Sequence, residues 1–188
     1  SRKEPLAQRI GSQVTRAMEE AAVALFVVDS REGPMPLDRE VTSWLRRWGK
    51  PVLLVANKVD TERDSLAVHE FTALGLGPAY PVSALHGRGI GDLLDAVVEH
   101  LKPAESVPGT SGTGSESPDR CQAPSSRRAL RVAIVGRPNV GKSSLLNRIL
   151  GDERVLVDAE PGTTRDPVEA RFSYRDRSYR FVDTPGIR

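Results

Sequence analysis

The stretch Gly136-Arg137-Pro138-Asn139-Val140-Gly141-Lys142-Ser143 is a complete GxxxxGK[S/T] phosphate loop. The apolar run Val132-Ala133-Ile134-Val135 precedes it, and Ser144-Leu145-Leu146-Asn147-Arg148-Ile149-Leu150 follows. Strand, glycine-rich turn and amphipathic helix are the context such a loop needs. Glycines let the main chain wrap a β-phosphate with its N–H groups, and the start of the helix adds a field that favours an anion. Lys142 is placed to reach the β- and γ-oxygens and Ser143 to take Mg²⁺, and Ser144 joins the loop as a nucleotide-binding residue. The loop predicts a P-loop NTPase fold and a nucleoside triphosphate as ligand.

Working outward, the 188 residues suit one domain, or parts of two joined by a linker. A hydrophobic content of 38% with 28% charged residues is that of an ordinary globular protein. The net charge of +2 is compatible with an RNA-rich partner but does not argue for one. No DNA partner is expected. Cys121 is the only cysteine, so no internal disulfide can form. No apolar run approaches the ~18 residues of a membrane span, and no membrane partner is expected. The start, Ser1-Arg2-Lys3-Glu4-Pro5, lacks an initiator Met and a signal-peptide core. On that reading the chain is a fragment, cytoplasmic, or from a chloroplast stroma if its source is a plant or alga.

Residues 103–128 are rich in Pro, Gly, Ser and Thr and have almost nothing to bury, so they read as a flexible linker. Before it, Leu6, Ile10, Val14 and Met18 keep helical spacing, and so do Val41, Trp44, Leu45 and Trp48. Both tryptophans read as core. Ile90, Leu93, Leu94, Val97, Val98 and Leu101 form the clearest amphipathic helix. Ala22 to Asp29, Pro51 to Ala56 and Ala79 to Ser83 read as strands. After the phosphate-loop strand, Val168 to Arg175 and Ser178 to Asp183 read as a hairpin. The pattern predicts six strands, three on each side of the linker, in an α/β fold. The sheet should be mostly parallel, with helices on both faces.

Three further motifs follow strand ends. Asn57-Lys58-Val59-Asp60 is an NKxD tetrad. A carboxylate at Asp60 can accept from guanine N1–H and its 2-amino group, a donor pair adenine lacks. Asn57 would brace neighbouring loops, and the Lys58 stem would pack along the base. Ser83-Ala84-Leu85 matches the loop whose main chain supports the guanine oxygen. Asp183-Thr184-Pro185-Gly186 matches DxxG, with Asp183 on Mg²⁺ through a water and the Gly186 N–H on the γ-phosphate. Gly162-Thr163-Thr164-Arg165-Asp166 stands where a first switch loop belongs, and Thr164 would complete the Mg²⁺ shell.

Together these residues resemble the EngA/Der family of GTPases. Ala17 to Leu101 looks like the back half of that family's first G domain, and Arg131 to Arg188 like the front half of its second. The resemblance divides the chain into 1–102, linker 103–128 and 129–188. It implies binding of GTP and GDP and GTP hydrolysis through Lys142, Thr164 and Gly186. It also implies a partner in the RNA of the large ribosomal subunit, whose assembly the hydrolysis would serve. Asn139 is similar to the asparagine of potassium-stimulated members, which implies K⁺ beside Mg²⁺. Ile187 stands where Ras-like proteins carry a catalytic Gln. The family pattern would add a phosphate loop before Ser1, and an NKxD and a KH-like domain after Arg188, so each G domain here is half a domain.

The motif order NKxD, SAL, phosphate loop, DxxG is also that of circularly permuted GTPases such as the YlqF/RbgA family. A flexible chain of ~26 residues spans roughly 25–30 Å, enough to join the two halves into one permuted G domain. Imperfect packing between them is then expected. A permuted ribosome-assembly GTPase and a non-catalytic interaction module are the competing readings.

Overall fold

The computed structural model describes residues 6–101, 129–153, 155–157, 169–175, 177–183 and 186–187. The first part runs α1 (Leu6–Glu20), β1 (Val23–Asp29), α2 (Pro36–Trp48), β2 (Val52–Asn57), α3 (Glu62–Ala67), a 3₁₀ helix (Val68–Leu74), β3 (Ala79–Pro81) and α4 (Ile90–His100). The second runs β4 (Leu130–Gly136), α5 (Lys142–Leu150), β5 (Leu156–Val157), β6 (Glu169–Tyr174) and β7 (Arg177–Asp183).

All strands join one sheet in the order β3-β2-β1-β4-β7-β6-β5. The pairs from β3 across to β7 are parallel, and β6 and β5 continue antiparallel. The seam between the two parts is the β1–β4 pair, which sets Leu25 against Ile134 and Val27 against Gly136. From that seam the chain winds outward in both directions. The carboxyl ends of β1, β4 and β2 therefore flank a topological switch point, where open α/β sheets bind ligands.

Side chains alternate across each central strand, so one strand feeds two cores. Val23, Leu25 and Val27 of β1, with Val132 and Ile134 of β4, meet Leu93 and Val97 of α4, Leu145 and Ile149 of α5, and Phe172 and Phe181 of the hairpin. Ala24, Phe26 and Val28, with Ala133 and Val135, meet Val14 and Met18 of α1, Val41 and Leu45 of α2, and Phe71 of the 3₁₀ helix. β1 is buried along its whole length, which explains its unbroken apolar run. The expected α/β architecture, a mostly parallel sheet with helices on both faces, is the one found.

Four details correct the sequence reading. The sheet has seven strands among the described residues, not six, because the short β5 pairs with β6. A two-residue edge strand leaves no periodic signal. Between β2 and β3 lie α3 and a 3₁₀ helix that the apolar spacing does not announce, since α3 buries no residue. α3 is set instead by a capping box, in which the Thr61 hydroxyl accepts from the Asp64 N–H and Asp64 accepts from the Thr61 N–H. Trp44 and Trp48 pack at the rim of the second core, partly buried rather than inside it. The hairpin's second strand begins at Arg177, one residue earlier than read. The linker 103–128, Thr164, Thr184 and Pro185 lie outside the described residues.

Candidate functional site

β4 ends in Gly136, and α5 begins at Lys142. Between them Asn139 (φ 65°) and Gly141 (φ 94°) take left-handed backbone, alternating with other residues. That alternation gathers successive N–H groups into an anion-binding nest. Asn tolerates the conformation better than most side chains. At Gly141 no side chain fits, since a Cβ would collide with the amide nitrogen of Asn57. Lys142 is buried, and its ammonium spans the loop, donating to the Gly136 and Arg137 carbonyls at 3.2 and 2.8 Å. Ser143 and Ser144 are exposed on the first turn of α5.

The tetrad at the end of β2 meets this loop from the other part of the chain. Asn57 is 2% exposed. Its Nδ2 donates to the Val140 carbonyl at 2.9 Å, and its Oδ1 accepts from the Ala84 N–H at 3.1 Å. One amide thus ties the phosphate loop to the Ser83-Ala84-Leu85 loop. Ser83 closes its own loop, accepting from Gly87 N–H and receiving the His86 N–H on its hydroxyl. Its hydroxyl in turn donates to Asp60 Oδ1 at 2.5 Å. Leu85 is exposed. Lys58 also has left-handed backbone, and its ammonium pairs with Asp29 Oδ2 at 2.5 Å.

Gly186 brings the DxxG segment onto the phosphate loop. A Cβ there would lie 2.7 Å from the Pro138 nitrogen, so only glycine permits the approach. Ile187 donates its N–H to the Gly136 carbonyl at 3.0 Å and is fully buried in the core behind the loop. Asp183 ends β7 with its Cα paired to Ile134, on the edge where β4 runs into the loop.

Charges join the two parts beside the loop. Arg137 donates to Asp38 Oδ1 at 2.9 Å and to Glu32 Oε2 at 2.8 Å. Asp38 is 0% exposed and also accepts from the Met35 N–H. Burial works against the Arg137 charge, but the hydrogen bond to Glu32 and the nearby Asp38 carboxylate outweigh it and raise its pKa. Asp29, Arg31 and Arg88 also reach the tetrad, although no motif marks them. Arg31 donates to Asp60 Oδ2 at 2.5 Å, and Arg88 to the Asp60 carbonyl at 3.1 Å. Their signal was positional: Asp29-Ser30-Arg31 leaves the carboxyl end of a central strand. Among the described residues no cluster of His, Cys, Asp or Glu could hold a metal, and no helix is long and apolar enough to cross a membrane.

Known proteins bear on this arrangement. Residues 131–188 match a family profile described as 50S ribosome-binding GTPase, and residues 10–103 match the elongation factor Tu GTP binding domain. The chain is 50% identical to GTPase Der of Moorella thermoacetica over 98% of its own length and 38% of that protein. It is 46% identical to GTPase Der of Mycolicibacterium vanbaalenii, over 97% of this chain and 36% of that one. With GTPase Der of Nostoc punctiforme it shares 42% identity over 95% and 36% of the two lengths. The chain thus spans less than two fifths of these relatives. Among solved structures it is similar to YjeQ from Thermotoga maritima, at a TM-score of 0.48 and 22% identity, covering 88% of this chain and 48% of that one.

Proposed function

The chain belongs to the EngA/Der family of P-loop GTP-binding proteins, and on that premise we propose that its two parts form one composite site that binds and hydrolyses GTP. Residues 1–102 serve as the back half of a first G domain and 129–188 as the front half of a second, joined by 103–128. The observation that carries this reading is the Asn57 amide, which bonds the phosphate loop on one side and the Ser83 loop on the other.

In this reading Asp60 takes the N1–H and 2-amino donors of guanine, and Ser83 orients its carboxylate. Ala84 and Leu85 supply main chain around the guanine oxygen, and Lys58 lies along the base. Gly136, Arg137, Pro138, Asn139, Val140 and Gly141 wrap the β-phosphate, with Ser144 behind them. Lys142, held by two loop carbonyls, stabilises charge as it develops on the β- and γ-oxygens. Gly186, with Thr184 and Pro185 leading into it, brings its N–H to the γ-phosphate. Ser143, Thr164 and Asp183 would hold Mg²⁺, which neutralises β- and γ-oxygen charge. Ser143 stands in the first turn of α5 directly after the loop, and the Asp183 main chain pairs with Ile134 of the strand that leads into the loop, which fits that role. Asn139, exposed at the crest of the loop, would hold K⁺, a positive charge of the kind an arginine finger supplies elsewhere. Ile187 is buried, so it orients no water; the phosphate-side charges and main chain do the work.

The partner proposed is the RNA of the large ribosomal subunit, in the cytoplasm, with hydrolysis coupled to subunit assembly. Calorimetry of this chain with GDP, GTP and ADP tests the site. Micromolar binding of the guanine nucleotides alone, lost in Lys142→Ala, is the expected result. Absence of binding would mean that the two parts remain halves of separate domains. GTP turnover in K⁺ that falls on replacement by Na⁺ tests the role of Asn139.

A further inference from the structure

Asp60 carries the choice of guanine in the proposed site, and both its carboxylate oxygens have protein partners. Oδ1 accepts from the hydroxyl of Ser83, which is fully buried. Oδ2 accepts from Arg31 Nη2 at 2.5 Å. Arg31 sits in the turn after β1, anchored by its N–H to Asp29 Oδ1 at 3.0 Å, and its side chain is 56% exposed. The Ser83 contact approaches from the core and leaves further lone pairs on the carboxylate, so the partner that a base would have to displace to reach it is Arg31. The chemistry of the two donors is alike. A guanidinium presents adjacent N–H groups on a planar carbon, and the N1–H and 2-amino group of guanine do the same.

We infer that Arg31 is a latch on the base site, competing with guanine for Asp60 and lowering the affinity for guanine nucleotides. The inference rests on the reading of the site as guanine-specific. Arg31 is a selectivity-tuning residue on this account: it sets a threshold that a ligand must exceed with its own paired donors. A ligand lacking them, such as an adenine nucleotide, cannot displace it. Arg31 is the exposed member of the pair and Asp60 is 11% exposed, so the contact is modest in strength and screened by salt from the Arg31 side.

The test is GDP binding by calorimetry to the full chain as wild type, Arg31→Ala and Arg31→Gln, with ADP as control, at about 50 mM and about 500 mM KCl. The variants should bind GDP about two- to five-fold more tightly at low salt, as the loss of a competing pair with one solvent-facing partner implies. That gap should close at high salt. Melting temperature without nucleotide should stay level or fall slightly, opposite in sign to the gain in affinity. A merely structural role would lower both together and overturn the latch. GDP binding to wild type with no gain in either variant also overturns it, while leaving the guanine-nucleotide reading in place. No GDP binding by any of the three overturns that reading, and the latch with it.

Discussion

Both ends of the Asn57 amide are committed to the main chain of other loops, and the site hangs on such single side chains. Asn57→Ala would leave the Val140 carbonyl and the Ala84 N–H without their partner. Each buried group left unpaired costs on the order of 1–3 kcal/mol. Urea unfolding should therefore show a loss within about 2–6 kcal/mol, together with loss of GDP binding. Arg137 is a second such residue. Arg137→Ala leaves the Asp38 carboxylate fully buried with only the Met35 N–H, a change that costs roughly 3–5 kcal/mol. Asp38→Asn in the Arg137→Ala background should recover part of that stability, because it removes the buried charge. At this scale the motif residues were legible because their types and spacing carry the chemistry. Arg31, Asp29 and Asp38 were not. Each acquires its role only from a neighbour that folding supplies.

Among the elements, the β6–β7 hairpin ties the second part of the chain to α4 of the first. The Phe172 ring stacks on Tyr179 and on Phe181, with centroids 5.1 and 4.7 Å apart. Tyr174 donates its hydroxyl to Asp95 Oδ1, and Arg175 pairs with Asp95 Oδ2 at 2.8 Å. Phe181→Ala should cost about 3–5 kcal/mol through the cavity and the lost stack, measured by chemical denaturation. Burial raises the pKa of both tyrosines, and at Tyr174 the bond to Asp95 adds to it. A raised folded value means the folded state keeps its proton longer than the unfolded chain. The stabilisation is whole below the ordinary tyrosine value of about 10 and is lost as pH climbs above it. Melting temperature should fall on that alkaline side, and less steeply when both residues are Phe. The hairpin, the central strands and α2, α4 and α5 could be read from periodicity. β5 is too short to show a period, and α3 rests on its cap rather than on an apolar face.

For the whole molecule, the β1–β4 pair makes one sheet from two sequence segments. Parallel pairing, Arg137 with Glu32 and Asp38, Arg131 with Glu20, and the hairpin on α4 all cross the same seam. A protease site introduced between residues 103 and 128 and then cut should leave the two pieces co-migrating on size exclusion. Separation on cutting would show that the seam cannot hold without its covalent link. The sequence by itself determined the longer helices and central strands and the motifs from which the guanine-nucleotide site is proposed, because those depend on residue types within a few positions of one another. The seven-strand order, the meeting of Asn57 with the phosphate loop and the seat of Arg31 on Asp60 were decided only by the tertiary structure. Those contacts join residues 83 and 29 positions apart. No local pattern encodes such a distance; the pairing of β1 with β4 does.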